Sequence, residues 1–97
     1  MEIAKFDKDF NKGKVFLFFE GENCGLCSGM KERALRELKD YEGRFIAIKL
    51  FDFPSLRGEF QVFSFPTLLY LKDGVEIARL AGFFDFQKMI NAIESEN

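Results

Sequence analysis

Residues 14–20 read KVFLFFE, a nearly unbroken apolar run between charged ends. A run this short, without polar alternation, predicts a strand buried on both faces. The period then changes. Cys27, Met30, Ala34, Leu38 and Tyr41 recur at spacings of three and four, and Lys31, Glu32, Arg33, Arg36, Glu37 and Lys39 fill most of the other face. That pattern predicts an amphipathic helix over residues 24–41, stopped by Gly43. Residues 44–52 (RFIAIKLFD) predict a second buried strand. Pro54 can open another helix, reaching about Val62. Residues 67–71 (TLLYL) form the third predicted strand, and Lys72-Asp73-Gly74 a hairpin turn. Residues 75–80 (VEIARL) alternate and return as its antiparallel partner. Gly82 breaks the chain, and Asp85 can cap a last helix whose Phe86, Met89, Ile90 and Ile93 share one face. The first dozen residues, with Phe6 and Phe10 four apart, predict a short helix or an extended lead-in.

The order is β-α-β-α-β-β-α, an α/β sandwich on a mixed, mainly four-stranded sheet. The first strand–helix–strand passage is a parallel βαβ unit with a right-handed crossover. With 97 residues, a single domain over 1–97 is expected. Hydrophobic residues make up 47% of the chain, which favours a packed core over disorder. The net charge of −2, with signs interleaved, argues against nucleic-acid binding. No apolar run approaches the roughly 18 residues of a membrane span. The charged start MEIAKFDKDFNKGK lacks the apolar centre of a secretory leader. A soluble, cytoplasmic, monomeric protein is therefore expected.

The two cysteines of the chain, Cys24 and Cys27, stand together where the first strand hands over to the first helix. In a reducing compartment such a pair is more often catalytic or metal-binding than structural. Backbone N–H groups and the dipole at a helix start favour a thiolate, so Cys24 should act as a nucleophile and a good leaving group. Cys27, about one turn later on the buried side, can close a disulfide with it. In this reading Cys24 attacks a substrate disulfide and Cys27 resolves the mixed disulfide. Two other readings stand beside it. The pair can be half of a zinc or iron–sulfur site completed by a dimer, since the chain has no histidine. It can also be chemically inert, the cysteines serving as core residues or as part of a non-cycling binding module.

The second informative stretch is VFSFPTLLYLKDG. Pro66 opens a strand, where a missing N–H is tolerated. Its peptide bond is trans by default or, in the sharper reading, cis and packed beside the cysteines.

Cys24-Gly25-Leu26-Cys27 on a strand-to-helix turn, Phe65-Pro66-Thr67, the Lys72-Asp73-Gly74 hairpin and Ala81-Gly82-Phe83 resemble the thioredoxin family. The resemblance covers nearly the whole chain. It implies a thioredoxin-like three-layer α/β/α sandwich and a thiol–disulfide oxidoreductase of cell redox homeostasis. Cys24 and Cys27 would be catalytic, with Gly25 and Leu26 as the motif loop. Pro66 would be cis. Phe65 would pair its backbone with an extended substrate peptide, beside Thr67, and Gly82 would leave room for that peptide. No cofactor is implied beyond the Cys24–Cys27 disulfide. The implied partners are protein disulfides and a reductase or small-thiol electron donor.

The departures are equally specific. Asn23 and Ser28 flank the motif where thioredoxins have tryptophan and lysine, and Leu26 replaces the central proline. Phe18 stands where the family has a buried aspartate, and Glu32 where it has a helix-kinking proline. Lys49 is a candidate for that aspartate's lysine partner. Glu20 and Glu22 are candidate proton carriers for the thiols, or simply solvated carboxylates. Of Phe53, Phe63, Phe65, Phe83 and Phe84, the ordinary burial of phenylalanine predicts no more than two exposed. A larger number would make an apolar patch beside Cys24.

Overall fold

The structure is a computed structural model and describes residues 1–96. Its sheet is built from β1 (Glu2–Ala4), β2 (Lys14–Glu20), β3 (Arg44–Lys49), β4 (Thr67–Lys72) and β5 (Val75–Ala81), in the order β1-β3-β2-β4-β5. Strands β1, β3 and β2 run parallel, and β4 and β5 add antiparallel pairs. The helices are α1 (Cys27–Glu37), α2 (Ser55–Phe60) and α3 (Phe86–Ser95).

The apolar run of β2 lies in mid-sheet and feeds two cores. Phe16 and Phe18 face α1 and α3, meeting Met30, Ala34, Leu38, Met89 and Ile93. Val15, Leu17 and Phe19 face the opposite layer, meeting Leu56, Val62 and the rings of Phe6, Phe10 and Phe60. Side chains alternate across a strand, so a segment covered on both faces must be apolar at every position. That is why KVFLFFE shows no period of two.

Four expectations change. The sheet has five strands, because the lead-in takes the extended alternative and contributes β1. Phe6 and Phe10 stack on each other, 4.7 Å between ring centroids, and seal the second core. Second, α1 is shorter than the 24–41 apolar stripe. A turn closed by the Cys27 N–H on the Cys24 carbonyl precedes it, and Leu38 ends it well before Gly43. Third, Lys49 closes β3, and Leu50–Asp52 turn into a 3₁₀ helix instead of continuing the strand. Fourth, Pro54 is the N-cap of α2 and the helix ends at Phe60, with Gln61 left-handed.

The hairpin forms as expected, with Asp73 and Gly74 both at positive φ. The Asp85 carboxylate accepts the Lys88 N–H and starts α3.

Candidate functional site

The register of β2 against β4 pairs Phe19 with Thr67. The loop leaving β2 and the loop entering β4 therefore meet at one end of the sheet. The first carries Gly21, Cys24 and Cys27, the second Phe65 and Pro66. Gly82, just beyond β5, joins them: its N–H donates to the Pro66 carbonyl at 2.9 Å. Residues from three separate stretches of sequence thus converge.

Cys24 and Cys27 are joined by a disulfide, with Cα atoms 5.4 Å apart. Cys24 is half-buried, and Cys27 is 4% exposed against the core. Asn23, at positive φ, turns the chain out of the strand. Gly25 and Leu26 complete an exposed turn. Leu26 supplies no side-chain cap to α1, and the first turn holds no acidic residue. The electropositive helix start beside the sulfurs is therefore not already neutralised from within the helix.

The Phe65–Pro66 peptide bond is cis, and Pro66 is buried. Thr67 is buried, and its hydroxyl donates to the Ser64 carbonyl at 2.7 Å, bracing the loop. Gly82 adopts φ +72°, and a β-carbon there would meet nothing within 4 Å. The surface above this glycine is open.

Phe18 lies deep in the first core, its ring centroid 5.9 Å from Phe45 and 6.0 Å from Phe84. No Asp or Glu is buried among the described residues, so no carboxylate lies beneath the cysteines. Glu20 is half-buried and lies opposite the exposed Lys49 in the β2–β3 register, while Glu22 is exposed. Among the described residues, no group of three or more His, Cys, Asp or Glu side chains is placed to hold a metal ion. Among the described residues, no helix is long and apolar enough to cross a membrane.

The expectation for the five phenylalanines is overturned. Phe53, Phe63 and Phe83 are exposed, the last two at 74%, while Phe65 is half-buried and Phe84 buried. Phe63 and Phe83 sit on the two loops that Gly82 ties together, beyond the reach of either helical layer.

Two site residues have no marker in the sequence. Gly21 presses against Phe65, and a β-carbon on residue 21 would overlap its ring. Arg57, from α2, holds its guanidinium 5.5 Å from the centre of that ring. A glycine at a strand end was a weak signal for the first, whereas Arg57 reads as any exposed helix residue.

Comparison with known proteins agrees with this geometry. A family model described as a thioredoxin-like domain matches residues 8–96. The chain is 33% identical to thioredoxin of Staphylococcus saprophyticus over 94 residues, 94% of this chain and 89% of that protein. It is 36% identical to thioredoxin of Staphylococcus aureus over 83 residues, 82% and 79% of the two chains. The structure of thioredoxin 1 from Thermosipho africanus matches with a TM-score of 0.72 at 27% identity, covering 84% of this chain and 92% of that one.

Proposed function

Since the chain belongs to the thioredoxin-like family, we propose that it reduces or exchanges protein disulfides, with Cys24 as nucleophile and Cys27 as resolving thiol. As a family, thioredoxins are thiol–disulfide oxidoreductases. They act on protein disulfides, take electrons from a reductase and work through a redox-active disulfide without a bound cofactor. The observation that carries the assignment of roles is the unequal placement of the two sulfurs. Cys24 is half-buried at the surface, whereas Cys27 is 4% exposed.

The reaction begins from the dithiol. The Cys24 thiolate attacks one sulfur of a substrate disulfide, and the other substrate sulfur leaves as a thiolate that takes up a proton. Cys27 loses its proton and attacks the Cys24 sulfur. The Cys24–Cys27 bond forms, and the second substrate thiol is released. Two electrons pass to the substrate. The uncapped start of α1 favours the thiolate at each stage. Phe65, Pro66, Thr67 and Gly82 shape the peptide groove: the open surface at Gly82 leaves room for an extended chain, and Thr67 braces the loop carrying Phe65. Phe63 and Phe83 extend that groove as an apolar margin. We take residues 1–97 to act as one domain, monomeric and cytoplasmic.

The test is an equilibrium titration of the pair in thiol buffers, read by mass after alkylation, since the chain has no tryptophan to report. One two-electron transition is expected. A midpoint near about −270 mV marks a reductase and one near about −120 mV an oxidant. Failure to form the intramolecular disulfide anywhere in that range would sink the assignment.

A further inference from the structure

Beside the cysteine loop lies a cleft of about 420 Å³ that the exchange reaction itself does not use. Gly21, Glu22, Leu50, Pro54, Arg57 and Phe65 are among the residues that line it. The Phe65 ring is held between Gly21 and the Arg57 guanidinium, so the cation rests on a fixed aromatic plane. That guanidinium takes part in no ion pair or side-chain hydrogen bond among the described residues. Arg44 is held by three loop carbonyls and Arg79 by Glu76 and two carbonyls of the α2 end, whereas Arg33, like Arg57, lies over a ring, that of Phe86 at 5.1 Å, but away from this cleft. Arg57 therefore offers a pre-oriented fork of donors, the geometry that suits a carboxylate.

We propose that Arg57 is a specificity residue that takes an acidic side chain of the substrate polypeptide, carried within about three positions of the cysteine that Cys24 attacks. The inference rests on the exchange reading above. The reach follows from the chain. Glu22, on the cleft wall, is two residues from Cys24, at most about 7 Å of extended backbone. A substrate strand bonded to Cys24 covers the same span in two or three residues. A polypeptide is favoured over a small thiol because the cleft runs on from Phe65, the residue assigned to backbone pairing. Glu22 tempers the site: a carboxylate lining the same cleft opposes an anion and sets a ceiling on the preference.

The test compares second-order rates for reduction of paired disulfide peptides that carry Asp or Asn two positions from the cysteine. The Asp peptide should react about fivefold faster at low salt, as expected for an exposed charge-assisted contact. The ratio should shrink at high ionic strength. Arg57→Gln should bring it to about one, Arg57→Lys should keep part of it, and Glu22→Gln should widen it. A wild-type ratio of one, or an unchanged ratio in Arg57→Gln, overturns the proposal. Faster reduction of dithiodiglycolate than of hydroxyethyl disulfide, without a peptide effect, reassigns the cleft to small thiols and overturns it too. If neither peptide is reduced, the exchange reading itself fails and takes this inference with it.

Discussion

Gly82 donates its backbone N–H to the carbonyl of Pro66 at 2.9 Å, and Thr67 and Ala81 are register partners in the adjoining strand pair. The two loops assigned to the substrate groove are therefore one mechanical unit, although sixteen residues of sequence separate them. A change at either reaches the other.

Gly82→Ala tests this link. Space is available for the methyl group, but φ +72° is a conformation that an alanine adopts only at a cost. A loss of about 1 kcal/mol in urea unfolding is expected. A raised KM for peptide disulfides at similar kcat is expected alongside it.

Gly21→Ala acts from the opposite side. Its β-carbon overlaps the Phe65 ring, so the ring must turn or the strand end must shift. The expected cost is about 1–3 kcal/mol by denaturation. Because Phe65 leads into Pro66, turnover should fall with stability, and a destabilised variant with normal turnover would refute the coupling.

The cysteines should be unequal in single substitutions. Cys24→Ser should abolish exchange. Cys27→Ser should still attack but stall, accumulating a protein–substrate mixed disulfide visible on non-reducing gels. Equal trapping by both variants would contradict the assigned roles.

Tyr70 is fully buried, and its hydroxyl has no partner among the described residues. Burial, then the charges of Glu96 and Glu42, push its pKa up. The folded state thus holds the proton more tightly than the unfolded chain. Its contribution is complete below the ordinary tyrosine pKa of about 10 and is lost as pH rises beyond it. Tyr70→Phe should stabilise the protein by about 1 kcal/mol at neutral pH. It should also flatten the alkaline fall, as read from thermal midpoints at pH 8 to 11, values chosen to span that pKa of about 10.

Glu76 receives the Arg79 guanidinium through two bonds, at 2.7 and 2.8 Å. That hydrogen bonding holds its pKa below the usual glutamate range, against a smaller opposing effect of burial. A lowered folded pKa stabilises above the unfolded value of about 4.3 and is lost as pH falls through the folded one. Both side chains are about a third exposed, so the effect stays below about 1 kcal/mol. Glu76→Gln should differ from wild type in urea midpoint at pH 7, with the gap closing toward pH 3.

Much of this fold was legible because its patterns have one physical outcome. Five apolar residues in a row from Val15 to Phe19 fit only a strand covered twice. Asp73-Gly74 fits a turn with two positive φ angles. The cysteine pair was legible because the strand-to-helix change of period brackets it. The rest depended on distant partners. Strand β1 exists through its pairing with β3, and three residues with Ile3 exposed leave no pattern. The apolar stripe through Leu38 and Tyr41 reports which side packs, not where helical hydrogen bonding stops, so α1 read too long. The five phenylalanines around the pair read as mostly buried because phenylalanine usually is, but Phe53, Phe63 and Phe83 are exposed. Arg57 drew no notice because its role comes from the ring beneath it, not from its neighbours in sequence.

The two-sided burial of β2 carries a last consequence, for amide hydrogen exchange. Val15 to Phe19 have no solvent exposure and bond to strands on both edges, so their amides should exchange only through global unfolding. Strand β1 pairs along one edge for three residues and should exchange far sooner. The cysteine loop begins where the slowest-exchanging segment ends. Breaking the Cys24–Cys27 bond should thus speed exchange locally in residues 21–26, while the strand behind them keeps its protection through each redox cycle.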